Sequence, residues 1–136
     1  MSSKSNMIRW LLIFPVAIIA WYSCLIFGFV FMHLLNYFCA PEFMESGYCI
    51  AKWYGVAEDV LVAFFASLSA ILIVTSSTLL APCNKKTVAI ISFILGFIVA
   101  CYMAYHTKAW LVLAAVSFAG AITSAFFIVK FKNKAS

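Results

Sequence analysis

The sequence predicts an all-α integral membrane protein: a four-transmembrane-helix bundle, both termini cytoplasmic, with one structured outer loop between helices 1 and 2. Three observations lead there. Hydrophobic residues make up 67% of the 136 and charged residues 10%, with a mean hydropathy of +1.12; a soluble domain needs more polar surface than this to cover its core. Four uncharged apolar runs each approach the ~20 helical residues that cross a hydrocarbon layer. The polar residues fall in the gaps between those runs. The length suits a single domain, 1–136. The runs are too long and too continuous for barrel strands, and four strands could not close.

The first span is expected over about 10–35, after the polar start MSSKSNMIR. Its apolar run is longer than a secretory h-region of about 7–15 residues, and no good small-x-small cleavage site follows, so it reads as a retained helix. Pro15 stands near its start, where it kinks the helix or delays its regular part. The second span is expected over 60–80, ended by Pro82 and the basic turn APCNKK. The third covers 87–105, up to the connector His106, Thr107, Lys108. The fourth covers 109–129, before the basic tail KFKNKAS.

Orientation follows from Lys and Arg. With both termini inside, Lys4, Arg9, Lys85, Lys86, Lys130, Lys132 and Lys134 are cytoplasmic, against Lys52 and Lys108 outside. Seven against two is a strong positive-inside bias. The expected location is a bacterial-type inner membrane. The basic residues sit at helix ends rather than in a patch, which points to the lipid bilayer as partner and away from nucleic acid.

Between helices, small residues permit close approach in lipid. Ser92, Gly96, Ala100 and Ala104 recur every four residues on the third helix, and Ala20, Cys24 and Gly28 do so on the first. Packing within the chain is the ordinary use of such stripes; a homo-oligomer or a membrane-protein partner is the sharper one.

The outer loop, 36–59, holds every acidic residue: Glu42, Glu45, Glu58 and Asp59. It also holds Cys39 and Cys49, ten positions apart, with Pro41 and Gly47 between them to supply turns. Outside a reducing cytosol this pair is expected to form a structural disulfide. A redox relay would want a close-set C-x-x-C pair, which the chain lacks. Glu58 and Asp59, beside Trp53 and Tyr54, form the best polar constellation. They are expected at the start of the second helix, favoured by its dipole, with one carboxylate turned toward the bundle. The same group is a candidate partner site, together with Glu42 and Glu45. His33 and His106 both fall near the outer surface and are the weak candidates for a metal or haem; no metal and no cofactor is expected.

No acidic or basic residue lies mid-span, where ion-coupled transporters and pumps keep one. No P-loop, G-x-S-x-G or H-E-x-x-H occurs. Catalytic residues are therefore expected to be none. The leading expectation is a non-enzymatic accessory, assembly or protective membrane protein, acting through helix faces and the outer loop. The alternative is an oligomeric pore, holin-like protein or small transporter, its path lined by the hydroxyls of the second and fourth helices. Third comes a membrane redox or haem-binding protein using the outer Cys and His residues.

Overall fold

The computed structural model describes residues 3–132. Four long helices dominate it: α1 (Ser3–Tyr37), α2 (Lys52–Leu80), α3 (Lys85–Thr107) and α4 (Trp110–Lys132). A one-turn 3-10 helix, Pro41–Phe43, and two short strands, β1 (Met44–Glu45) and β2 (Tyr48–Cys49), lie between α1 and α2. All four long helices are long and apolar enough to cross a membrane. The all-α four-helix architecture is as the hydropathy pattern predicts. Of the basic tail, Lys134 lies outside the described residues.

Helix ends differ from the expected spans because hydropathy marks where a bilayer would stop, not where backbone hydrogen bonding stops. α2 starts at Lys52 rather than near Val60, and the stretch KWYGVAED is helical throughout. The irregular segment between α1 and α2 therefore shrinks from 36–59 to 38–51. α1 runs unbroken through Pro15 from Ser3. The turn between α2 and α3 is tight: Ala81 N–H donates to the Ser77 carbonyl at 3.1 Å, and Asn84 takes a left-handed φ of 49°. Lys108 does the same at the end of α3, with φ 56°. Chain reversals this short make successive helices antiparallel neighbours.

α2 is the centre of the assembly. It packs against α1, α3 and α4; α3 also packs on α4, whereas among the described residues α1 has its only extensive contact with α2. One core sits toward the α2–α3 turn, where Val74, Ala89 and Phe127 are buried together and Phe131 leans on them. Thr78 is fully buried nearby, its hydroxyl donating to the Val74 carbonyl at 2.6 Å. The second core lies at the opposite end, where Cys49, Ala51 and Tyr54 are buried against Leu35 and Cys39. Outward faces are apolar all along the helices: Phe14, Ile19, Phe29, Phe64, Leu95 and Phe118 are each exposed. In water such a surface would be a severe liability; against lipid it is ordinary.

The small-residue stripes divide. On α1 the stripe meets α2: Cys24 is buried, and a Cβ at Gly28 would touch Phe65 at an ordinary 3.7 Å. Of the α3 stripe only Ala104 is buried; Ser92 and Ala100 are half-buried, and Gly96 is exposed with nothing within 4 Å of its Cβ position. The expectation that Gly96 brings two helices of one chain together is not met: nothing lies within 4 Å of its Cβ position, whereas Phe93, one turn earlier, meets α4. The close approach occurs at Gly120, where a Cβ would lie 3.0 Å from the Phe93 ring.

Candidate functional site

The candidate site is the hairpin end of the molecule. α1 finishes at Tyr37, and Phe38 and Cys39 donate back to the Leu35 and Asn36 carbonyls at 3.2 Å each. Pro41 opens the 3-10 turn with its fixed φ. β1 and β2 then pair antiparallel, Met44 opposite Cys49 and Glu45 opposite Tyr48. Ser46 and Gly47 are the two loop residues, with φ of 50° and 85°. Two consecutive positive φ values make a type I′ turn, whose twist matches that of the paired strands. Ile50 N–H returns to the Phe43 carbonyl at 2.9 Å and closes the ribbon.

A disulfide joins Cys39 to Cys49, with the Cα atoms 6.0 Å apart. It ties the base of the hairpin to the end of α1. Side chains alternate across a strand, so the Met44–Cys49 pair sits on one face and the Glu45–Tyr48 pair on the other. Cys49 is buried against Ala51 and Tyr54, while Glu45 and Tyr48 face solvent side by side. Directly opposed residues have Cβ atoms about 4.5–5.5 Å apart, so a carboxylate and a phenol ring share one small surface.

Around that pair the exposed residues are large and apolar. Tyr37 is 90% exposed, Phe38 76%, Tyr48 72% and Ile50 60%. Phe43, Met44, Trp53 and Val56 are exposed too. Glu42 is exposed beside them. Tyr54 is buried, with its ring edge-on to Trp53 at 6.0 Å. Tyr54 is thus the anchor of this end and not part of its surface.

Glu58 and Asp59 fall in the second turn of α2, not the first, which holds no acidic residue. A dipole effect confined to the first turn does not account for them. Both are exposed, so the expectation that one carboxylate turns toward the bundle is corrected. The bundle-facing positions here are Tyr54, Ala57 and Leu61. His33 is exposed on α1, and His106 is exposed on α3 between the rings of Tyr102 (4.7 Å) and Tyr105 (5.8 Å). α1 and α3 do not pack extensively, so the fold gives the two imidazoles no common wall. Among the described residues, no three His, Cys, Asp or Glu side chains gather as a metal-binding group.

A second feature is an apolar groove of about 210 Å³ between α1 and α2, lined in part by Trp21, Cys24, Phe29 and Phe65. Its one hydroxyl-bearing wall residue, Ser69, donates to its own helix at the Ala66 carbonyl, 2.8 Å away. Ser76, Thr78, Ser117 and Thr123 bond back to their helices in the same way. Those hydroxyls are satisfied locally and present no row of free donors.

Sequence reasoning found the two cysteines, the acids and Trp53. It missed the exposed ring of Tyr37, Phe38, Tyr48 and Ile50. The signal that could have found them is the dipeptide Ser46-Gly47 between short apolar-polar alternations, a hairpin signature. Neither family models nor curated proteins nor solved structures give a match to this chain.

Proposed function

We propose that this chain is a multi-pass inner-membrane protein of non-enzymatic accessory, assembly or protective type, working by contact. In this reading the hairpin end faces outside and both termini face the cytoplasm. The seven-to-two distribution of Lys and Arg supports that orientation. The observation that carries the contact reading is the hairpin itself. A disulfide-clamped ribbon that holds Tyr48 and Ile50 exposed, beside Tyr37 and Phe38 at the close of α1, is preorganised surface, and preorganisation lowers the entropy cost of binding. Large apolar groups outside the helical slab need a reason of this kind.

The test is purification in mild detergent with native mass spectrometry and an absorption spectrum on one sample. A colourless particle carrying a stoichiometric second protein supports the reading. A homo-oligomer that conducts ions in vesicles sinks it in favour of the pore. A bound chromophore sinks it in favour of the redox or haem-binding protein.

A further inference from the structure

We propose that the exposed face of the hairpin binds a cationic amphipathic peptide segment, one carrying Lys or Arg along one side and apolar residues along the other. The inference rests on the contact reading above and names the chemistry of the partner. Two properties of the surface select that class. First, residues 38–51 include Glu42 and Glu45 and no Lys or Arg, and both carboxylates are exposed. Glu58 and Asp59 add two more exposed acids on the adjoining turns of α2. The positive charge at this end is limited to Lys52 and Lys108. Second, the acids are interleaved with rings: Glu45 lies opposite Tyr48, and Glu42 sits within the 3-10 turn that ends at Phe43. A basic side chain approaching Glu45 meets the Tyr48 ring at the same time, so ion pairing and cation–π attraction act together. The apolar side of the same peptide has Phe38, Ile50 and Trp53 to cover.

Placement argues against the lipid surface as occupant. α2 has 29 residues where α3 has 23, and the two meet in a tight turn at their other end. The difference corresponds to about 9 Å of helical rise, and the hairpin joins directly onto the start of the longer helix. Anionic headgroups would also repel Glu42 and Glu45. A peptide arriving from solution meets neither obstacle.

The experiment uses the full chain in zwitterionic nanodiscs, with empty discs as the reference. The probe is a synthetic Lys/Leu amphipathic helix of about 20 residues, compared with its Glu/Leu counterpart. The expected result is saturable binding of the Lys/Leu peptide beyond that to empty discs, weakening as salt is raised. Glu42→Gln with Glu45→Gln should weaken it about three- to tenfold, as two partly exposed ion pairs would. Tyr48→Ala should weaken it about tenfold or more, as for a central aromatic contact. Each variant is first checked by mass for an intact Cys39–Cys49 bond, which separates loss of binding from loss of the hairpin. Equal binding of the Glu/Leu peptide overturns the proposal, and so does the absence of any excess over empty discs. Quenching of Trp53 by brominated lipids, in a chain whose other three tryptophans are Phe, also overturns it by placing the hairpin in lipid. If the peptide fails while native mass spectrometry finds a stoichiometric neighbour, the contact reading stands and only the peptide class is wrong. If both fail, the contact reading falls as well.

Discussion

Substituting Gly120 by Ala tests the packing most directly, because the outcome is set by two opposed terms of known size. A Cβ on Gly120 would sit 3.0 Å from Cδ2 and Cε2 of Phe93. Ordinary carbon–carbon contact is about 3.5–4.0 Å, so the ring must retreat by about half an ångström. It is hemmed in on α3 by Phe97, stacked at a centroid distance of 6.2 Å. Forcing a methyl group into a filled space costs about 1–3 kcal/mol. Ala in place of Gly inside a helix returns about 0.5–1 kcal/mol. The net expectation is a loss of about 1 kcal/mol, reaching about 2 where the ring cannot turn. Gly96→Ala is the matched control: with nothing within 4 Å of its Cβ position, only the helical gain of about 0.5–1 kcal/mol remains. The two variants should therefore separate by about 1–3 kcal/mol, read as SDS-unfolding midpoints in mild detergent followed by circular dichroism. Phe93→Leu should recover part of the loss in the Gly120→Ala chain and not in the Gly96→Ala chain. Equal midpoints for the two glycine variants would refute the close approach of α3 and α4 at this turn.

The remaining predictions concern the ends and the core. Cys39→Ser removes a cross-link with a sequence separation of 10, worth about 2.5–3 kcal/mol in chain-entropy terms. Its effect should appear as faster amide exchange at Ile50, which bonds to Phe43, and unchanged protection there would sink the clamp. Cys83 is an exposed free thiol in the α2–α3 turn, whereas Cys24 is buried. A membrane-impermeant maleimide should leave Cys83 unlabelled in intact cells and label it after permeabilisation; labelling from outside would invert the orientation. Ser124 is buried and its hydroxyl has no partner among the described residues. Ser124→Ala should therefore raise stability by about 1 kcal/mol, and a fall in the unfolding midpoint would show that the hydroxyl does have a partner.

The helices were legible in the sequence because each is written as an uninterrupted apolar run, and lipid leaves the backbone few alternatives. The disulfide was legible from Cys39, Cys49 and the turn residues between them. The start of α2 was not, since Lys52, Glu58 and Asp59 lower hydropathy without breaking a helix. Nor was the identity of the packing glycine. Gly96 and Gly120 both lie on helices with small residues at four-residue spacing, but spacing does not say which way a face points. That depends on how α3 and α4 rotate about their axes, which here follows from Phe93 and Phe127 finding room on the neighbouring helices. The exposed aromatics of the hairpin escaped notice for a related reason: a Tyr or Phe in a short loop reads the same whether it is buried under the turn or held out from it.

The hairpin also explains how α1 stays in place. Among the described residues α1 has its only extensive contact with α2, and along the middle of that contact runs a groove of about 210 Å³. Between helices in lipid, attraction comes chiefly from close van der Waals contact, which Cys24, Gly28 and Phe65 supply along this stretch. A second point of contact lies at the hairpin end. There Leu35 and Cys39 from the α1 side pack on Cys49, Ala51 and Tyr54 from the α2 side, and the disulfide makes the junction covalent. The same residues that hold the aromatic surface outward thus hold the edge helix onto the central one. A ligand that pulled the hairpin away from Tyr54 would act directly on this covalently fastened end of the α1–α2 contact.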